Sequence, residues 1–245
     1  RDAGDASHLL SGTDLSGMTF DVTATIANTT KQITVKIDSI SPDAMSTTND
    51  VLLYDLSYQE AGTSTWTSVC TDGSGAAVPA LPLANRWNLT TGARIDAPDA
   101  VTFACINGAL GKCVRWGYRP WATSTRCSGP MCSTVSLQDY HQACTRMVRA
   151  DYCGNGEAHT IDGTVIDVFD NLSPQVQSRS TNLKLEAKWT ANGATCLNKT
   201  REAALYPNDK YPDCNNNGKD DDFRKCADRD YALPSPNLIG SSYAN

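Results

Sequence analysis

From Phe20 to Ile26 apolar and polar residues alternate, with Phe20, Val22, Ala24 and Ile26 set against Asp21, Thr23 and Thr25. After Asn28-Thr29-Thr30 the alternation resumes, with Ile33, Val35 and Ile37 against Thr34, Lys36 and Asp38. Successive strand side chains point to opposite faces, so both runs predict half-buried strands joined by a short turn. Ser41-Pro42-Asp43 ends the pair. Val51–Tyr58 and Trp66–Cys70 predict further strands, followed by a Gly-, Ala- and Pro-rich loop from Gly73 to Pro82. Trp87, Val101–Cys105 and Cys113–Tyr118 continue the β pattern.

A different period begins at Ser136. Leu137, Tyr140, Cys144, Met147 and Val148 follow steps of three and four, which predicts a helix over 137–150. Asp139 stands three residues after Ser136, as in a capping box, and Arg146 and Arg149 occupy the last turn, where they complement the helix dipole. Asp162-Gly163 predicts a turn before the alternating run Val165, Asp167, Phe169. Leu183, Leu185, Ala187 and Trp189 then alternate with Lys184, Glu186 and Lys188, and Asn192-Gly193 turns that strand into Ala194–Leu197.

The fold class that follows is mainly β and sandwich-like, with one α-helix near 137–150. Along the chain, residues 1–15 read as a flexible or docking arm and residues 16–121 as a β-rich domain. Residues 122–205 read as a cysteine-rich helix-plus-hairpin region packed on it, and 206–245 as an Asn-, Asp- and Pro-rich tail without convincing periodicity.

Composition adds a compartment. The 245 residues carry a formal net charge of -6, which argues against nucleic acid as the main partner, since phosphate binding needs clustered positive charge. No apolar run approaches the roughly 18 residues of a membrane-spanning helix. The ten cysteines are Cys70, Cys105, Cys113, Cys127, Cys132, Cys144, Cys153, Cys196, Cys214 and Cys226. There is no C-x-x-C knuckle, and the histidines are only His8, His141 and His159, so five disulfides fit better than zinc. An even set of this size predicts an oxidising, extracellular or cell-surface setting. A chain that starts at Arg1 without a hydrophobic leader fits removal of a secretory leader or a trimmed sequence. Connectivity stays open, and sequence separation admits short-range pairs at Cys105/Cys113, Cys127/Cys132 and Cys214/Cys226. Sequons occur at Asn28, Asn88, Asn171 and Asn198, with chance in a Thr- and Asn-rich chain as the competing reading.

Four constellations carry candidate chemistry. Asp213-Cys-Asn215-Asn-Asn217-Gly218-Lys219 has the opening of a calcium loop, in which alternate oxygens converge on one ion. Asp213, Asn215, Asn217, Lys219 through its carbonyl, Asp221 and Asp222 are the candidate ligands of a structural Ca2+. The bidentate Glu is absent, because Arg224 stands at the twelfth position, and a solvated turn without an ion is the competing reading. Cys153 with His159 or His141 has the ingredients of a Cys/His nucleophile site, provided the thiol is free. Asp167, Asp170 and Glu186 are carboxylates of the kind a glycosidase pairs across a cleft. Trp116, Tyr118 and Trp121, interleaved with Arg115 and Arg119, could stack on surface glycans, with filling of a core, the Arg stems packed over the rings, as the preferred reading. No phosphate loop, dinucleotide fingerprint, G-x-S-x-G or H-E-x-x-H is present.

The tetrapeptide Ala150-Asp151-Tyr152-Cys153 has company in Phe103-Ala-Cys105, Gly108-Ala109, Lys112-Cys113, Gly117-Tyr118-Arg119-Pro120-Trp121, Asp162-Gly163-Thr164 and Trp189 to Cys196. Together these segments resemble the bacterial ADYC-domain family over residues 50–205, with 206–245 outside the resemblance. The resemblance implies an exported bacterial protein and carries over no catalytic residue. The expected function is a non-catalytic extracellular or cell-surface structural protein, with self-assembly into a polymer or filament as one form of it. Strand addition from the N-terminal arm or from Leu183–Trp189 to a neighbour's sheet edge is the expected mode. A secreted hydrolase of the Cys/His or carboxylate type and a carbohydrate-binding module are the alternatives.

Overall fold

The computed structural model describes residues 12–26, 29–46, 50–88, 90–180, 182–201, 211–219, 222–227 and 231–243. Of the expected arm, residues 1–11 lie outside the described residues; Gly12–Leu15 form a short 3-10 turn. The chain divides into two compact units, residues 1–84 with 101–111 and residues 85–100 with 112–245. The protein is mainly β, as the alternating pattern predicts.

In the first unit, strands β1 (Thr19–Ile26) and β2 (Thr29–Pro42) form the expected hairpin, in register from Thr19↔Lys36 to Ile26↔Thr29. Strand β3 (Leu52–Glu60) pairs with β2, and the two-residue β4 (Thr67–Ser68) with β3. After β5 (Ala80–Ala84) the chain passes through β6 (Arg86–Trp87) and β7 (Arg94–Ile95), a short pair in the second unit, and returns as β8 (Val101–Cys105). The antiparallel order is β1-β2-β3-β5-β8. Ile33, Val35 and Ile37 are buried on one face of β2, as period two requires. The same face carries Tyr54 and Leu56 of β3 and the half-buried Phe103 of β8. The rings of Phe20 and Phe103 stack at 6.4 Å, although β1 and β8 are opposite ends of the strand order, so the sheet curls until its edges face each other. The disulfide Cys70–Cys105 ties β8 to the segment after β4.

The second unit is built on a four-stranded antiparallel sheet and one long helix. A helix α1 (Ala109–Arg115) begins where the chain leaves the first unit. It replaces the strand expected over Cys113–Tyr118, because Leu110, Cys113 and Val114 fall at helical spacing and Cys113 and Val114 are buried. The hairpin β9 (Thr123–Ser128) and β10 (Met131–Ser136) leads into α2 (Gln138–Arg149), the expected helix. The capping box does not close: Ser136 Oγ accepts from Gln138 N, and no side chain caps the helix at Leu137. Strands β11 (Ile166–Asp170), β12 (Lys184–Thr190), β13 (Gly193–Leu197) and β14 (Ile239–Tyr243) make the sheet, in the order β11-β14-β12-β13. Tyr140, Ala143, Cys144 and Met147 of α2 join Val168, Ala187, Trp189, Leu197 and Ile239 of the sheet in one buried cluster.

Two expectations are corrected here. The C-terminal tail contributes a strand to the middle of this sheet, where β14 pairs with β11 on one side and β12 on the other. The segment Leu183–Trp189 is therefore no free edge: β12 has β14 and β13 as neighbours, and its backbone groups are spent inside the protein.

Candidate functional site

Helix α2 ends on Ala150, which takes the left-handed conformation at φ 50°. The N–H groups of Ala150 and Asp151 bond back to the carbonyls of Met147 and Arg146, which satisfies the last turn. This reversal aims Asp151 into the protein, where it is fully buried and forms a 2.5 Å ion pair with Arg146 Nη1. The same guanidinium donates to the carbonyls of Thr91 and Ala191, and the carboxylate accepts from Gly156 N. Every pole of the buried pair thus has partners, which is the condition under which such a pair is tolerated.

Tyr152 turns the other way. Its ring stacks between Trp189 at 5.3 Å and His159 at 5.7 Å, and its hydroxyl donates to Glu186 Oε1 at 2.8 Å. Glu186 is fully buried on β12, where it accepts from Arg201 Nε at 2.7 Å and from Ser241 Oγ at 2.8 Å. Trp189 Nε1 in turn donates to Ser241 Oγ. Cys153 closes a disulfide with Cys214. The backbone leaves no space here: a Cβ on Gly154 would strike Asn192 O, and one on Gly193 would strike Tyr152 O, while Ala194 N bonds Tyr152 O at 2.8 Å.

A second buried carboxylate, Asp170, accepts from Tyr118 Oη, Leu172 N, Val176 N and Gln177 N. Burial pushes its pKa up, against the pull of those donors. Tyr118 and Tyr152 are held well above the ordinary phenol range, first by burial and then by the charges of Asp170 and Glu186 respectively. Burial lifts Tyr140 to about 12. A phenol whose folded pKa lies above its unfolded value contributes stability that is complete below pH ~10 and is lost as pH climbs through the raised value. Stability is therefore expected to fall from about pH 10 upward. An absorbance titration at alkaline pH should show Tyr118 and Tyr152 ionising only as the protein unfolds; smooth titration of every tyrosine near pH 10 would contradict these environments.

All ten cysteines are bonded: Cys70–Cys105, Cys113–Cys144, Cys127–Cys132, Cys153–Cys214 and Cys196–Cys226. Of the short-range pairs, Cys127/Cys132 forms. Cys105/Cys113 and Cys214/Cys226 do not, because each sulfur meets a partner brought close by the sheets and helices. With Cys153 in a bridge, no thiolate remains there for a nucleophile. His159 is buried against Tyr152, and His141 packs edge-on against Trp87.

The other candidates are dispersed. Tyr118 is a core residue stacked on Tyr140, Trp116 is half-buried, and Trp121 is exposed, so the three do not form one stacking platform. In the calcium-like loop, Asp213 accepts from Asn217 N and Gly218 N, Asn215 from Asn217 N, and Asn217 from Lys219 N. Asp222 accepts from Cys214 N, and Asp221 lies outside the described residues. Asp167 accepts from Ser180 N. Among the sequons, Asn171 donates to the carbonyls of Leu233 and Asn237 and Asn198 to that of Leu185, while Asn28 lies outside the described residues.

Two concave surfaces were not visible as such in the sequence. The inner face of the curled sheet holds a groove of about 590 Å³ between Phe20, Val22, Val35, Tyr58, Val69 and Phe103, with no charged side chain in its lining. The alternation of β1 and β2 fixes which residues face it, but only the curl of the sheet makes it concave. A second groove, of about 640 Å³, runs beside the β9–β10 hairpin between Arg126, Cys127, Cys132, Asn171 and Pro234. Among the described residues no helix is long and apolar enough to cross a membrane, and no three His, Cys, Asp or Glu cluster as a metal site. A family model for the ADYC domain matches residues 12–203, a longer stretch than the motifs alone mark out. No curated protein and no solved structure matches the chain.

Proposed function

We propose, starting from the fact that this chain belongs to the ADYC-domain family, that it is a non-catalytic extracellular or cell-surface structural protein that associates with further copies of itself. The observation that carries the reading is the fate of the tetrapeptide. Ala150 ends the helix, Asp151 neutralises a buried arginine, Tyr152 binds a buried glutamate and Cys153 is cross-linked, so all four residues are committed to holding the chain together. Five disulfides support an oxidising location, where such bonds persist.

Self-association is supported by the edge of the curled sheet. Among the described residues β1 pairs with β2 alone, and it carries neither proline, lysine nor a bulge, the usual guards of an exposed edge. A strand added there by a second copy would gain main-chain hydrogen bonds, and its alternate apolar side chains would lie against the groove. Any Ca2+ held by the Asp213–Asp222 loop would serve this scheme as a structural ion.

Native mass measurement and direct imaging across a concentration series, with and without a chelator, test the proposal. Assemblies that grow with concentration are expected, with Val22→Lys shifting the population to monomer while the melting temperature holds. A protein that stays monomeric at every concentration sinks the self-association. An unchanged assembly and melting temperature on chelation removes calcium from the scheme.

A further inference from the structure

The five disulfides differ in what a dissolved reagent can reach. Cys113 and Cys144 are fully buried, Cys196 and Cys226 are 3% and 4% exposed, and Cys70 is 2% exposed. Cys153 and Cys214 are half-buried. Of all ten cysteines only Cys132 is exposed. It stands on β10, directly across the hairpin from Cys127, and beside Met131, which is 75% exposed. Both sulfurs belong to residues that line the 640 Å³ groove, together with Arg126, Ser133 and Asn171. That volume lies in the range of small-molecule sites, and the lining offers one cation among neutral hydrogen-bonding groups.

We propose that Cys127–Cys132 is a thiol-exchange site whose reagent is a low-molecular-weight thiol bearing a carboxylate. The thiolate attacks Sγ of Cys132, the exposed residue of the pair. A new sulfur–sulfur bond joins the reagent to Cys132, and the Cys127–Cys132 bond breaks. Cys127 leaves with the electron pair and takes a proton from solvent when it is not kept as thiolate. A second equivalent of the same thiol attacks the mixed disulfide, releases the oxidised dimer of the reagent and leaves both cysteines reduced. The thiol supplies both electrons. Arg126 is the charge in the groove that a carboxylate can engage, and a cation nearby favours the departing thiolate.

The position makes the exchange local. Cys127 and Cys132 are 5 residues apart, whereas the other bridges span 30 to 61 residues. A short loop restricts the unfolded chain least, so opening this bridge removes the smallest share of cross-link stabilisation. The hairpin tip can thus be modified and resealed while the four other bridges hold the fold. No part of this exchange depends on the self-association proposed above.

The folded protein is exposed to limiting glutathione, 2-mercaptoethanol or cysteamine at equal thiolate concentration, quenched by alkylation and mapped by peptide mass, and each thiol's rate is taken relative to its own rate with a small neutral disulfide, which cancels differences in thiolate nucleophilicity. The expected result is adduct on Cys132 and alkylation of Cys127 before any of the other eight cysteines reacts. Glutathione should lead cysteamine by about fivefold, the scale of one solvent-exposed charge pair. Arg126→Gln should level the three rates while the same bridge still opens first, and Arg126→Lys should restore the order. Earlier or simultaneous opening of another bridge overturns the site. Equal rates for the three thiols in the wild type, or a ranking untouched by Arg126→Gln, overturns the carboxylate-bearing reagent.

Discussion

A protein carrying Asp151→Ala is expected to lose about 3–5 kcal/mol of stability, the usual cost of removing one member of a buried ion pair. The side chains of Arg146 and Asp151 are 4% and 0% exposed, so water cannot take the place of the lost carboxylate. The guanidinium would keep only the carbonyls of Thr91 and Ala191, and Gly156 N would lose its acceptor. For a unit of this size each kcal/mol moves the midpoint by about 2–4 °C, so the melting temperature should drop by roughly 6–20 °C. Asp151→Asn keeps an oxygen for Gly156 N and should fall between wild type and Asp151→Ala. The double change Arg146→Met with Asp151→Leu removes both charges and should be milder than Asp151→Ala alone. Calorimetry on the four proteins checks the order. A loss under about 1 kcal/mol for Asp151→Ala would show that the pair is not buried in solution, and the structural reading of the tetrapeptide would go with it.

Sequence periodicity reaches some of this and misses the rest for physical reasons. Strands β1, β2, β3, β12 and β13 and helix α2 are legible because each buries one face, and burial imprints a period of two or 3.6 on the apolar residues. Helix α1 escapes because seven residues are too short for either period to win, and Leu110, Cys113 and Val114 suit both. Strand β14 escapes for a different reason. Gly240 lies where the ring of Phe169 fills the space of a side chain, and Ser241 and Ser242 are buried, so a central strand is written in residues that read as a loop. Disulfide pairing is a property of tertiary proximity: Cys214 and Cys226 look like a local staple, yet they reach to Cys153 and Cys196. The run Trp116, Tyr118, Trp121 suits a core or a glycan platform, because an aromatic run carries no sign of which ring is buried. The burial of Asp151 leaves no periodic signature in the sequence. Its one legible hint was Arg146 in the last helical turn, which a reversal of chain after Arg149 brings against it.

Ending the chain at residue 236 is expected to abolish the cooperative fold of the second unit, although the ADYC match stops at residue 203. Strand β14 holds β11 through Ile166↔Tyr243 to Asp170↔Ile239, and it holds β12 through Lys184↔Tyr243 to Trp189↔Ile239. Without it, among the described residues, β11 has no neighbour in the sheet and β12 keeps only β13. Removal also uncovers the core at Ile239, worth about 1.5–3 kcal/mol by burial alone, and takes Ser241 from both Glu186 and Trp189. Two ladders of backbone hydrogen bonds are lost as well, and typical domain stability is only about 5–15 kcal/mol. The truncated protein should lose the near-ultraviolet dichroism of Trp189 and Tyr152 and should aggregate through its opened strand edges. Adding a peptide of residues 231–243 should restore the signal if the missing strand is the cause. Cooperative melting at the wild-type temperature with the near-ultraviolet spectrum intact would make β14 an ornament on a sheet that closes without it. The expected outcome makes the tail a structural part of the domain, supplied by residues that lie beyond the family's matched stretch.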